Sequence, residues 1–170
     1  MLQPCEASNM PLPEPWLRGR IAHLHPVAEH LVYTFTQCRE DIALHAHAIT
    51  DVWRAHPPLA PLGFHLNHIA GSVNRLTTYL AGQQLTPEQL ARLKAEKAPG
   101  SSLKELMAAI DTEFAATGEL VRGIHPDTYP EPRFVGRQQL PTSVGGLIIH
   151  IAEHTQRHLG QAIITAKLIR

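Results

Sequence analysis

The sequence lacks an excess of charge of one sign, a set of cysteines and any long apolar run, and each absence excludes a class of protein. Lys and Arg together number 15, as do Asp and Glu, so no net positive charge attracts the chain to nucleic acid. Two cysteines cannot form a disulfide scaffold. No apolar run approaches the length of about 20 residues that crosses a bilayer. We therefore expect a cytoplasmic protein with no nucleic-acid or membrane partner.

The N-terminal segment differs in composition from the rest of the chain. Residues 1–15 contain four prolines and neither a periodic apolar pattern nor the apolar core of a signal peptide, which predicts a flexible arm.

The composition of the whole chain indicates a folded protein. Its apolar fraction of 44% is enough to build a core, and its charged fraction of 18% is too low for disorder. A chain of 170 residues fits one domain, which we predict over residues 16–170.

Apolar residues recur at helical spacing in four segments, and no segment alternates as a strand would. Capping-box patterns at Thr86–Gln89 and Ser102–Glu105 predict the starts of a short connecting helix and of the third long helix. The connection that contains the short helix spans about twenty residues, enough to cross a bundle. We predict an all-α four-helix bundle, with a loop at His125–Pro141 before the last helix. The four long helices are predicted at Pro26–His47, Leu62–Ala81, Leu103–Gly123 and Val144–Lys167.

The chain is rich in histidine, with twelve in all, and three of them form a ladder on the last helix. His150, His154 and His158 are each four residues apart, so they lie one above another on the helix surface. Neutral imidazole is a good ligand for zinc, nickel and iron, and catalytic sites commonly take three protein ligands. Two histidines of one helix would therefore need a partner from elsewhere in the fold.

The apolar stripe of the last helix distinguishes these three histidines. At about 100° per residue, His158 lies near the middle of that stripe, His154 lies at its margin and His150 lies farther out. We predict that His154 and His158 point into the bundle and bind a metal. His150 is then either a residue that supports a ligand or a surface side chain.

Two motifs carry a resemblance to a known family. His154-Thr-Gln-Arg-His158-Leu-Gly160-Gln161 on the last helix and Gly63-Phe-His65-Leu-Asn-His68-Ile-Ala70 near the start of the second helix resemble the DinB/YfiT-like superfamily. The resemblance covers the chain from about residue 24 to its end. It implies a four-helix bundle with up-down-down-up topology. It also implies a divalent metal, zinc or nickel, held by His68, His154 and His158.

Several residues keep alternative interpretations. The helical wheel of the second helix places His65 closer to the apolar stripe than His68, so His65 is an alternative ligand or a hydrogen-bond donor to one. Gln161 could orient a ligand or a water molecule, or it could join two helices by a hydrogen bond. Arg137 could bind an anionic group of a substrate, or it could be a solvated loop residue.

The resemblance implies two enzymatic functions, both with a small-molecule substrate. One is a transferase or isomerase that uses a low-molecular-weight thiol, and the other is a metal-dependent hydrolase. We favour the thiol because no Glu or Asp accompanies the histidines in either motif, whereas metallohydrolases commonly supply a carboxylate. Glu153 adjoins His154 but points about 100° away along the helix. A third hypothesis is a non-enzymatic, stress-associated bundle that binds metal structurally or forms a homodimer through an exposed helix face.

Overall fold

A computed structural model of the chain describes residues 12–170, so most of the predicted arm at residues 1–15 lies outside the described residues. Within the arm's last residues, Leu12 is exposed and Pro15 is buried. Pro15 also begins a short 3-10 helix, Pro15–Leu17, that packs against the first long helix.

The described residues form five α-helices, four of them long. Each long helix begins at its predicted residue and ends within two residues of its predicted end, which confirms the helical periodicity as a guide to their positions. Among these helices, none combines the length and the hydropathy that crossing a membrane requires. The helices are α1 (Pro26–Ala46), α2 (Leu62–Leu80), α3 (Pro87–Ala95), α4 (Leu103–Arg122) and α5 (Val144–Ile169).

Side-chain caps fix the starts of α3, α4 and α5. Both predicted capping boxes are present, because Thr86 accepts a hydrogen bond from the backbone of Gln89 and Ser102 accepts one from the backbone of Glu105, with the reciprocal bonds also made. The helix α5 is capped by Ser143, whose hydroxyl accepts a hydrogen bond from the Gly146 backbone. These caps set where α3, α4 and the histidine-bearing helix α5 begin.

The prediction of a purely helical chain is wrong in one segment. The predicted loop contains a two-stranded antiparallel hairpin of β1 (Pro132–Val135) and β2 (Leu140–Ser143), turned through Gly136 at a φ of 72°. Four residues per strand, with a proline in each, are too few to show an alternating apolar pattern. The hairpin is attached to the C-terminal end of α2, where Arg133 Nε donates a hydrogen bond to the Leu80 carbonyl at 2.9 Å.

The core lies where the four long helices meet. The helix α5 packs extensively against both α1 and α2, and α2 also packs against α4. Between α1 and α4, the rings of Phe35 and Phe114 stack with centroids 4.0 Å apart. This arrangement places the inner faces of α2 and α5 side by side, and both faces carry histidines. Side chains with no more than 1% exposure in this core include Leu31, Leu62, Leu66, Ile69, Val73, Ile110, Ile148, Ile151 and Leu159.

We expect Phe114→Ala to cost about 3 to 5 kcal/mol of unfolding free energy, because the Phe114 ring is 2% exposed and its removal leaves a cavity beside Phe35. Urea denaturation followed by far-ultraviolet circular dichroism measures this change. Leu90→Ala on α3 is the control, since Leu90 is 42% exposed and should change the free energy by about 0.5 kcal/mol or less. Equal effects of the two substitutions would contradict the described core.

Candidate metal centre

The packing of α2 on α5 brings three of the predicted ligands together. One nitrogen each from His68, His154 and His158 lies within 4.8 Å of the other two. Among the His, Cys, Asp and Glu side chains of residues 12–170, no other group of three or more is arranged so that it could hold a metal ion. All three rings are partly buried. The α5 pair is one helical turn apart, as predicted, and α2 supplies the third ring.

The three imidazoles face one another closely. Nε2 of His68 lies 3.0 Å from Nε2 of His154. The ring centroid of His158 is 4.2 Å from that of His68 and 4.7 Å from that of His154. Nδ1 of His154 is buried and has no hydrogen-bond partner among the described residues.

A carboxylate fixes the proton of His68. Nδ1 of His68 lies 2.7 Å from Oε2 of Glu96. Because an ionised carboxylate only accepts hydrogen bonds, Nδ1 carries the proton and Nε2 presents its lone pair to His154. Two ring nitrogens at 3.0 Å then need a proton or a cation between them. This donor set fits a divalent metal such as zinc or nickel.

Both histidines of α5 are held in the neutral form that binds metals. Burial lowers the pKa of His154 to about 4, and unfavourable electrostatic interactions with His68, His150 and nearby arginines lower it further. Burial also lowers the pKa of His158 to about 4, with further contributions from the three neighbouring histidines and Arg157. At neutral pH these two rings therefore offer lone pairs to a cation without first losing a proton.

Glu96 is the site residue that the sequence motifs did not predict. It follows α3 immediately and is 5% exposed. Its two carboxylate oxygens contact Nδ1 of His68 and Nη1 of Arg75. Burial alone would raise the pKa of Glu96, but the hydrogen bonds from His68 and Arg75 outweigh it, and the pKa is lowered. The sequence gives one indication of a missing carboxylate. Arg75 lies on the same helical face as His68, and an arginine buried there needs a carboxylate partner.

The remaining candidates lie around the cluster without joining it. His65 is 4% exposed, as its place on the helical wheel indicated, and its Nδ1 is 3.4 Å from Nδ1 of His158. Its burial also lowers its pKa. His150 is half-buried, and its Nδ1 lies 3.5 Å from Oε2 of Glu153. Gln161 is exposed on α5.

Arg137 lies in the turn of the hairpin and is exposed. The hairpin is attached at Leu80, which is twelve residues from His68 and therefore about 18 Å away along α2. The structure thus places the base of this loop at the opposite end of α2 from the three imidazoles.

Comparison with known families identifies the superfamily that the chain resembles. The family model described as DinB superfamily matches residues 34–162, about three quarters of the chain. The matched range includes all three clustered histidines and Glu96. No curated protein matches the chain at a significant level.

We expect His68→Ala, His154→Ala and His158→Ala each to lose bound metal, because each substitution removes one of the three convergent nitrogens. Metal content is measured by mass spectrometry on protein purified without a nickel column and loaded with zinc. His150→Ala is the matched control on α5 and should retain metal. Full retention in all three variants would end the metal hypothesis, and loss in His65→Ala with retention in His68→Ala would make His65 the ligand.

The metal-free protein should lose stability as the pH falls from about 6.5 to about 4. In that window the imidazoles of the unfolded chain take up protons, whereas His154 and His158, with pKa values of about 4, stay neutral in the folded chain. Protons therefore favour unfolding, and the stability is fully present only above pH 6.5. Urea midpoints measured across this range should show a shallower pH slope for His154→Gln than for wild type. An unchanged slope in His154→Gln would refute the assignment.

Proposed function

The chain belongs to the DinB superfamily, and on this basis we propose that it is a metal-dependent enzyme that acts with a low-molecular-weight thiol as an S-transferase. His68, His154 and His158 would hold the metal, zinc or nickel, through the nitrogens that converge between α2 and α5. A bound divalent metal would lower the pKa of a thiol or a water molecule that coordinates it. Three protein ligands, as opposed to the four of a closed structural zinc site, leave room for such a molecule.

The observation that carries the proposal is that the cluster contains imidazoles and no carboxylate among the described residues. Metallohydrolases commonly use a carboxylate to take a proton from water, and Glu96 is the carboxylate in contact with the cluster. Both of its oxygens are engaged by His68 and Arg75, so it is poorly suited to that role. A thiol brings its own nucleophile, because a thiolate forms readily near neutral pH when it is bound to a cation. The metal-dependent hydrolase therefore remains the second interpretation.

An anionic group of the thiol or of its substrate has a suitable partner in Arg157. This residue is exposed on α5 beside His158, and its charge contributes to the lowered pKa of both α5 ligands. Its guanidinium is held by Glu153, with Nη2 2.7 Å from Oε1. In this proposal Arg157 takes the anion-binding role that the sequence suggested for Arg137, because the hairpin that bears Arg137 is attached at the far end of α2.

We also propose that the four long helices have the up-down-down-up order of the family. Support comes from residue pairs between helices. Asn74 contacts Glu113 and Thr77 contacts Thr117, so residue numbers rise together along α2 and α4. His65 contacts His158 and His68 contacts His154, so numbers run in opposite directions along α2 and α5. The short helix α3 lies in the connection that lets α2 and α4 run in parallel.

We expect the zinc- or nickel-loaded protein to join a low-molecular-weight thiol to an electrophile such as monochlorobimane, with the thiolate displacing chloride. Fluorescence assays with bacillithiol, mycothiol, glutathione and no thiol would identify the cosubstrate. His158→Ala should reduce the metal-dependent rate by at least about 100-fold, since it removes a ligand. His150→Ala should keep the wild-type rate.

Equal rates for wild type and His158→Ala with every thiol would refute the transferase. Metal-dependent turnover of ester or amide substrates in the absence of thiol would instead establish the hydrolase. Tight metal binding without either activity would favour the non-enzymatic metal-binding bundle.

A further inference from the structure

The short helix α3 is held on α2 by polar contacts at its two ends. None of its residues from Pro87 to Ala95 is buried, and its larger apolar side chains are about 40% exposed. At its start, Gln89 Nε2 donates hydrogen bonds to Asn74 Oδ1 and Thr78 Oγ1, both at 2.7 Å. Just past its end, the carbonyl of Glu96 accepts a hydrogen bond from Asn67 Nδ2 at 3.2 Å. Apolar burial therefore does not explain why α3 lies here.

Among residues 87–96, which comprise α3 and the residue that follows it, Glu96 is the one that is buried, and it packs against α2. A carboxylate at 5% exposure is costly unless it is paired, and Glu96 is paired on both oxygens. Arg75 neutralises its charge through Oε1, and Oε2 remains for Nδ1 of His68 at 2.7 Å. The charge is thus already neutralised by Arg75 without His68. The second oxygen is therefore available to act on a metal-centre imidazole.

The face of α2 that receives the carboxylate has no side chain between His68 and Arg75. Residues 68, 71 and 75 share one helical face, and position 71 is glycine. A Cβ at Gly71 would collide with Oε1 of Glu96 and would lie 2.9 Å from Nη1 of Arg75 and 3.3 Å from Cδ of Glu96. Glycine at this position thus admits the Glu96 carboxylate to the helix surface.

We propose that Glu96 is the positioning residue of the metal centre: it accepts a hydrogen bond from the Nδ1–H of His68, fixes that tautomer and ring orientation, and so directs the Nε2 lone pair at the metal. This inference rests on the proposed three-histidine centre. A metal-bound imidazole commonly donates its other N–H to a carboxylate, which makes the ring a stronger ligand. The helix α3 then serves to bring this carboxylate to α2 from a distant part of the sequence.

Glutamine at position 96 tests the charge and the hydrogen-bond polarity at nearly constant size. His68 and Arg75 both donate to residue 96, and an amide offers one acceptor and one donor, so one of the two contacts becomes a mismatch. If the amide nitrogen faces His68, it favours the tautomer that carries the proton on Nε2. That tautomer cannot bind a metal through Nε2.

The first experiment measures zinc affinity of the full chain by competition with a chromophoric chelator. We expect Glu96→Gln and Gly71→Ala each to weaken zinc binding by about 10 to 100-fold. Gly71→Ala leaves Glu96 in the sequence but displaces its carboxylate, and alanine is the better helix former, so the variant should fold. Gly160→Ala is the matched control, because a Cβ there meets no atom within 4 Å.

A second control separates positioning from simple attachment of α3. Gln89→Ala removes the contacts at the other end of α3 and should leave zinc affinity within about 2-fold of wild type, well below the loss expected for a supporting carboxylate. If Gln89→Ala weakens zinc binding as much as Glu96→Gln does, Glu96 acts only by attaching α3, and the proposal is overturned.

The second experiment reads the tautomer of His68 directly, in zinc-free protein at pH 8, from long-range nitrogen-15 NMR couplings. We expect the proton on Nδ1 in wild type and a shift toward Nε2 in Glu96→Gln and Gly71→Ala. A wild-type ring protonated on Nε2, or zinc affinity unchanged by Glu96→Gln, would overturn the proposal. A wild type that shows the Nδ1 tautomer but binds no zinc would overturn the metal centre itself, and with it this role of Glu96.

Discussion

The contact between α2 and α5 is the constraint on which the candidate site depends. Fully buried apolar side chains such as Leu66 and Ile69 of α2 and Ile151 of α5 belong to the core between these helices. The histidines of α2 and α5 contact one another across the same pair of helices. Imidazoles in this position lose much of their hydration, which lowers the pKa of His154 and His158. The same packing that stabilises the bundle therefore brings neutral ring nitrogens together and prepares them to receive a cation.

The sequence predicted the helices well because helical periodicity is a local property. The ends of α1 to α5, the two capping boxes and the pairing of His154 with His158 all follow from residues fewer than about 25 positions apart. The hairpin was missed because its evidence is the pairing of two four-residue strands, which leaves almost no pattern in either strand. Glu96 was missed because its contact with His68 spans 28 residues and passes through a connecting segment.

The two histidines of α2 show why burial alone does not identify the ring that joins the cluster. The helical wheel favoured His65, and His65 is indeed the more buried, at 4% exposure. However, it faces His158 at 3.4 Å, whereas the partly buried His68 joins the cluster. The motif that carries the family resemblance singled out His68, whereas the hydropathy pattern favoured His65.

The charge of the site points to the kind of molecule that it would accept. Three neutral imidazoles contribute no negative charge, and Arg75 already neutralises Glu96, so nothing in the cluster balances a divalent cation. An anionic ligand would therefore be stabilised more strongly here than in a site that contains carboxylates. The positive charge of Arg157, which is exposed on α5, would also favour an anionic ligand. A thiolate would suit this site, because it is an anion and also a soft ligand for zinc or nickel. Its formation releases a proton that solvent can take.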